Sequence, residues 1–404
     1  MSLSPTWNTD DAEVRWLMQV TALPTASGNE RHVIDWISAW TAARPDLRQY
    51  RDHAGNLILE RTTPPDQSSR RPLYITAHLD HPAFVIERVV GERVLEASFR
   101  GGVNEPYFAN ARLRVFSVDA TQRLGTIVKH ERGEPFPTCT LHLDEPCTTI
   151  RTGDIARWDL PDPAIDGDLI HTHACDDLSA VAAALAALER LRSRPDAAHV
   201  RLLFTRAEEI GFIGAIAACK LGTIDTNARV IALENSRSFA ESPIGAGPIV
   251  RVGDRISVFH PGLTAAVGKV AEKLAEARPD RAGASPRPFK WQRKLMPGGA
   301  CEASAYQCYG YESTCVCLPL GNYHNMADLD RVGAGDPEAV RSARVAREFI
   351  SVADYKGMID LLVACGTRLA AAEPLVDRLE KLYADKAFVL EEGAAGPAGK
   401  GTRP

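Results

Sequence analysis

The chain has no apolar run that could cross a bilayer: its longest, Ala180 to Leu188, is far shorter than the roughly 20 residues a spanning helix needs. It has no basic start and no apolar stretch near its beginning. Met1 to Val14 is polar and acidic, so no secretory signal is expected. It has no excess of one charge either, because the net charge of −5 arises from signs mixed throughout. That argues against a polyanionic partner such as nucleic acid. Nor is there a disulfide framework. The nine cysteines are odd in number and scattered, so reduced thiols in a cytoplasm are the simplest reading. Cys315 and Cys317 share one face of an apolar strand, and core packing suits them better than metal binding, since no second Cys or His pair follows at zinc-site spacing. No internal repeat is visible.

What is present is an ordinary globular mixture, 45% hydrophobic and 25% charged over 404 residues, enough for one large domain plus an inserted or appended part. Leu17 to Leu23 reads as the end of an N-terminal helix before Pro24. Ser27-Gly28-Asn29-Glu30 reads as a capping box for a helix with Val33, Ile37 and Trp40 on one face. After a turn at Gly55-Asn56 come short strands at Leu57 to Leu59 and Leu73 to Ile75. Between about Val85 and Pro163 short β pieces alternate with turns, without a convincing helix. Helices and strands then alternate again: helix from Leu178, strand Val200 to Phe204, helix Phe212 to Lys220, strand Val230 to Leu233, helix Ala265 to Ala277, strand Thr314 to Leu318. Pro337 to Val389 is helical in pattern. The expected organisation is an α/β domain formed by residues 1–84 and 164–390, an inserted β-rich domain at 85–163, and a disordered tail at 391–404. The sheet is expected to be mixed and largely parallel, flanked by helices.

Acidic and histidine residues gather where strands should end: His78-Leu79-Asp80, Asp176-Asp177, Glu208-Glu209, Glu234 and His324. Each alone is weak, since acidic pairs arise by chance and a lone His beside a strand is more often a surface or capping residue. Together they carry more, because ligands of open α/β sheets bind at the carboxyl ends of strands. Carboxylates and imidazoles converging there without Lys or Arg repel one another unless cations neutralise them. Two divalent metals are the physical solution for five such ligands.

The matching stretches are Pro24 to Glu30 (PTASGNE), Ala77 to Phe84 (AHLDHPAF), Ala174 to Ser179 (ACDDLS), Arg206 to Gly214 (RAEEIGFIG), Gly245 to Pro248 (GAGP), Gly298 to Ala303 (GGACEA) and Asn322 to Asn325 (NYHN). In this order they resemble the glutamyl-aminopeptidase and tetrahedral-aminopeptidase family of dinuclear metallopeptidases and, more distantly, the two-zinc exopeptidases. The resemblance implies a zinc-exopeptidase-like fold with a helical C-terminal extension, and an aminopeptidase that removes N-terminal residues from peptides. It implies Asp176 as the bridge between two metals, His78 and Glu234 completing one, and Glu209 and His324 the other. Zinc is the expected metal, with cobalt or manganese also compatible. Asp80 would orient His78, Glu208 would act as general base, and the Asp176–Asp177 bond would be cis. Relatives assemble through the inserted β module, which implies a homo-oligomer.

Three positions depart from the family pattern. Glu234 stands for the usual Asp, His81 for an acid, and Glu302 for the Asp of GGTDA, where it could orient a ligand or bind the substrate amine. Glu234 keeps open a carboxypeptidase or N-acyl amino acid deacylase on the same site, and a non-catalytic assembly protein is a further alternative. His171, His173, Cys175 and Cys301 read as structural. Arg237 and Arg251 could take a substrate carboxylate, although solvated faces are commoner for such residues.

Overall fold

The structure, a computed structural model, describes residues 10–62, 70–117, 121–276, 288–369 and 375–390. The expected tail at 391–404, and the end of the expected helix at Ala277, lie outside the described residues.

A run such as Leu73-Tyr74-Ile75, too short for a helix and apolar on both faces, suits a strand covered on both sides. The strand Leu73–His78 is buried along its whole length and sits inside an eight-stranded sheet. The order across that sheet is Leu47–Arg51, Leu57–Arg61, Val200–Thr205, Leu73–His78, Arg229–Arg237, Glu312–Leu320, Ile249–Gly253 and Gln292–Leu295. The four central strands are parallel, so their carboxyl ends open on one edge. The others add antiparallel pairs and one outer parallel pair.

Side-chain alternation divides the core between the two faces. Leu73, Ile75, Ala77, Ile231, Leu233, Val316 and Leu318 pack with helices Ala12–Val20, Leu178–Leu191, Pro261–Glu276 and Val352–Arg368. Tyr74, Val230, Ala232, Cys315 and Cys317 pack on the other face with Ile213–Leu221 and Glu302–Cys308. The two cysteines therefore serve as core.

Six short strands between Ala83 and Trp158 close into a barrel, filled by Phe84, Phe99, Phe108 and Trp158 in edge-to-face contact. Among the described residues a 3-10 turn, Glu105–Phe108, interrupts them. The fold is mixed α/β with a small barrel and C-terminal helices. Among the described residues no helix is long and apolar enough to cross a membrane.

Two local readings are corrected by the structure. The helix Arg31–Ala42 has no side-chain cap. Ser27 donates instead to Asp80, and Glu30 pairs with Arg206 at 2.7 Å. The first helix ends at Val20, inside the Leu17 to Leu23 stretch and before Leu23, with the Thr21 hydroxyl and N–H both on the Leu17 carbonyl.

Candidate metal centre

Parallel strands place their last side chains along one edge, and loops then lift the next residues over it. His78 is the final residue of its strand. Its Nδ1 lies 3.1 Å from the Asp80 carbonyl and 3.5 Å from Asp80 Oδ1. The other ring nitrogen, Nε2, faces Asp176 Oδ1 at 3.4 Å and Glu208 Oε2 at 3.8 Å. His324 mirrors this arrangement. Its Nδ1 meets the Gly102 carbonyl, contributed by the barrel, at 2.6 Å. Its Nε2 faces Asp176 Oδ2 at 3.5 Å and Glu209 Oε1 at 3.3 Å. Asp176 thus turns one oxygen to each imidazole.

These gaps are too long for good hydrogen bonds. Two ligands sharing a tetrahedral zinc at about 2.0–2.1 Å are separated by about 3.4 Å, which matches them. Ligand atoms of His78, Asp176, Asp177 and Glu234 lie within 4.8 Å of one another, as do those of Asp176, Glu209 and His324, and those of His78, Glu208 and Glu209. His78 Nε2, Asp176 Oδ1, Asp177 Oδ1, Glu209 Oε1 and His324 Nε2 are buried without a hydrogen-bond partner. Buried polar atoms are almost always satisfied. Five orphans facing one another are what a pair of cations would answer, so the donor set fits the implied metals.

Electrostatics point the same way. Burial disfavours the charged form of both imidazoles, yet the surrounding carboxylates outweigh it and raise them well above the ordinary histidine range. Burial likewise opposes ionisation of Asp176, but the facing imidazoles of His324 and His78 hold it far below the usual carboxylate range. Glu208 and Glu234 are raised, first by burial and then by neighbouring carboxylates. Without cations, the site holds more carboxylates than its two imidazoles can balance.

Asp80 does more than orient His78. It accepts from the N–H groups of Glu208 at 2.9 Å and Glu209 at 3.1 Å, and from the Ser27 hydroxyl at 2.5 Å. The turn bearing both glutamates is thereby pinned to the His78 strand. Its other anchor is close packing. Asn56 accepts from Arg206 N–H and donates to the Gly214 carbonyl, and a Cβ on Gly214 would meet Arg206 O at 2.4 Å, Arg206 N at 2.5 Å and Asn56 Oδ1 at 2.7 Å. Gly214→Ala is expected to cost about 1–3 kcal/mol by overpacking and to weaken metal binding through displacement of Glu209. Urea melts and a chelator-competition titration check this; wild-type values in both would contradict it.

Glu348 is a site residue that sequence reasoning missed. Wholly buried, it accepts from the backbone N–H of Asp176 at 3.0 Å and of His324 at 2.8 Å, tying the Asp176 segment to the distant histidine. It opens the strand Glu348–Ser351, inside a region whose pattern reads as helix, and no motif marks it. Glu348→Gln can keep an acceptor for only one of these N–H groups. Metal affinity should fall about 10–100-fold, as for other partners that hold ligands in place. Competition against a chromophoric chelator measures this, and unchanged affinity would contradict it.

The remaining candidates are distributed as follows. The Asp176–Asp177 peptide is cis. His324 and Asn325 both adopt left-handed backbone, φ 54 and 63, a costly conformation for such residues that tends to cluster at functional sites. His81 is buried, its Nδ1 against the Asp176 carbonyl and its Nε2 3.1 Å from Asn325 Oδ1. Glu302 is buried beside the centre, where burial pushes its carboxyl up to about 7, and the Tyr306 hydroxyl is 3.5 Å away. His173 meets the Leu160 carbonyl, and His171 lies against Phe349. Cys175 and Cys301 are buried. Arg237 pairs with Asp330. Arg251 departs from the expectation of a solvated face: it is 2% exposed and donates to the Ser236 hydroxyl, because Ile249–Gly253 is an interior strand of the sheet.

Comparison with known proteins places the chain among relatives. Residues 55–335 match the family model described as M42 glutamyl aminopeptidase. No curated protein matches the chain by sequence. Among solved structures, an aminopeptidase from the archaeon Desulfurococcus kamchatkensis superposes with a TM-score of 0.68 at 20% identity, over 90% of this chain and 98% of its own. The TET1 peptidase of Pyrococcus horikoshii, described as assembling into a tetrahedron or a large octahedral shell, gives 0.68 at 18% identity over 88% and 100%. A TET aminopeptidase from a marine-sediment Thaumarchaeota archaeon gives 0.69 at 17% identity over 88% and 96%. At these identities the likeness to the solved structures is one of fold.

Proposed function

The chain belongs to the M42 glutamyl aminopeptidase family and is on that ground a metal-dependent peptide-bond hydrolase; we propose that it removes N-terminal residues from peptides using two zinc ions. His78, Asp176 and Glu234 would hold one ion, and Asp176, Glu209 and His324 the other. The observation that supports this best is the placement of the two Asp176 oxygens, each opposite a different unpartnered imidazole nitrogen.

When bound, such a pair supplies Lewis acidity at the scissile carbonyl and at the attacking water. The chain's own residues do the rest. Asp80 and the Gly102 carbonyl hold each imidazole so that Nε2 faces inward. Glu208, its backbone fixed by Asp80, takes the proton from the attacking water on its carboxylate and delivers it to the leaving amine. Residues 85–163 would form a β module inserted between 1–84 and 164–390.

The runner-up reading, a carboxypeptidase or N-acyl amino acid deacylase, is motivated by Glu234 at a usual Asp position. A panel of free-amine and N-blocked peptides separates the two. Turnover of the free-amine set is expected, and cleavage confined to the blocked set would overturn the aminopeptidase assignment. Reconstitution of the apo chain with zinc, cobalt and manganese tests the metal.

Self-assembly is also part of this reading, by analogy with the tetrahedral TET1 peptidase; a stable monomer by light scattering would contradict it. A cytoplasmic location agrees with nine free cysteines.

A further inference from the structure

The short loop 322–325 carries His324, and its backbone is held in a costly shape. Asn322, His324 and Asn325 all adopt left-handed backbone, φ 53, 54 and 63, which persists only where the surroundings over-determine it. Three of the four side chains supply the fastening. Asn322 Nδ2 donates to the Arg347 carbonyl at 2.8 Å, and Asn325 Nδ2 to the His173 carbonyl at 2.8 Å. His324 Nδ1 meets the Gly102 carbonyl at 2.6 Å, and Glu348 accepts from its backbone N–H.

The fourth side chain, Tyr323, is left over. Its ring is partly exposed and lies flat on the His324 imidazole, the centroids 3.8 Å apart and the planes 22° apart. Among the described residues its hydroxyl has no hydrogen-bond partner. Burial first, and then Asp176, Glu209, Glu234 and Glu208, hold that hydroxyl well above the ordinary phenol range. These four carboxylates come from three separate segments that meet at the candidate metal centre. A hydroxyl on which all four act stands at that meeting point.

We propose that Tyr323 is a further catalytic residue, whose hydroxyl donates a hydrogen bond to the oxygen of the scissile carbonyl as charge develops there. The proposal rests on the hydrolase reading above. Attack by water forms a new C–O bond and moves the carbonyl π pair onto that oxygen; Tyr323 keeps its own proton throughout. Such an oxygen would otherwise sit among carboxylates that repel it. The inward nitrogens of His78 and His324 are taken up as expected ligands, so neither can donate to it. A phenol O–H is neutral, and with an unperturbed pKa of about 10 it remains a donor at working pH. A donor fixed before the charge appears costs no reorganisation during reaction. The stack on His324 and the pinned backbone on both sides provide that fixing.

Tyr323→Phe keeps the ring and its stack and removes only the oxygen. In metal-loaded protein kcat should fall about 10²–10³-fold, the usual effect of losing one such donor, with KM and metal content near wild type. A second readout needs no turnover. Affinity for a phosphinic dipeptide analogue, whose anionic tetrahedral centre stands in for the charged oxygen, should fall by a similar factor. Affinity for a free amino acid should not change. In a crystal of the metal-loaded wild-type chain with the same analogue, the Tyr323 hydroxyl should lie about 2.5–3.0 Å from a phosphinate oxygen. A hydroxyl turned away from the phosphinate, or a variant with wild-type kcat and wild-type inhibitor affinity, would overturn the proposal. Loss of metal from the variant would do so too, since Tyr323 would then only support His324. Substrate direction fails separately: a wild type that cleaves only N-blocked peptides ends the aminopeptidase reading, and the Tyr323 comparison is then made on those peptides.

Discussion

Glu208→Gln is expected to lower kcat by about 10²–10⁴-fold, the usual contribution of a positioned general base, while KM and the bound metal change little. The substitution keeps volume and shape. It leaves untouched the backbone N–H that Asp80 accepts, so the turn should stay in place. What it removes is the group that can take a proton 3.8 Å from His78 Nε2. Glu208 is 7% exposed and crowded by Glu209 and Glu302, with burial first and these charges next raising its carboxyl. Neutralising it relieves repulsion, so the metal-free variant should melt no lower than wild type, and above it if the repulsion is substantial. Loss of turnover with retained metal and retained stability is the signature of a proton carrier. Near-normal kcat would remove Glu208 from the mechanism, and loss of metal would make it a ligand instead.

The second large effect is expected from Asp176→Asn. Asp176 turns one oxygen to each imidazole, so its loss should cost both metals together, in contrast to a substitution at Glu234 or Glu209, each expected to hold one ion. Metal affinity should fall by more than the about 10–100-fold typical of an outer hydrogen-bond partner, and activity should be lost with it. Stability follows by linkage. A ligand at 1,000 times its Kd stabilises the folded state by about 4.1 kcal/mol, and the variant should lack the rise in melting temperature that wild type shows on adding metal. Elemental analysis and melts with and without a chelator measure this. A variant retaining one full equivalent would show that Asp176 does not bridge.

Much of the site was legible because parallel strands end on one edge, so His78, Glu208, Glu209, Glu234 and His324 could be placed together from strand patterns alone. The acidic pair Asp176-Asp177 was legible from its place before the Leu178–Leu191 helix, whereas a bridging role for Asp176 is what the family resemblance implies. What escaped depends on contacts between distant segments. Glu348 owes its role to the pairing of Glu348–Ser351 with Leu169–Thr172, and a strand of four residues leaves no periodicity to read. Ser27 and Glu30 have the spacing of a capping box, but Asp80 and Arg206 are stronger partners than the helix end. Arg251 looks like a surface residue until its strand is found inside the sheet, between Glu312–Leu320 and Gln292–Leu295. The Gly102 carbonyl could not be foreseen at all, since any residue offers one. Motifs report the groups that do chemistry, whereas the groups that hold them are written into the fold.

The central claim is that two cations share Asp176. Anomalous diffraction at the zinc edge, on crystals of the zinc-loaded chain, tests it most directly. The account predicts two peaks, one bounded by His78, Asp176 and Glu234, the other by Asp176, Glu209 and His324. A single peak, or zinc bound elsewhere with these side chains still unpartnered in a crystal of active enzyme, would contradict it.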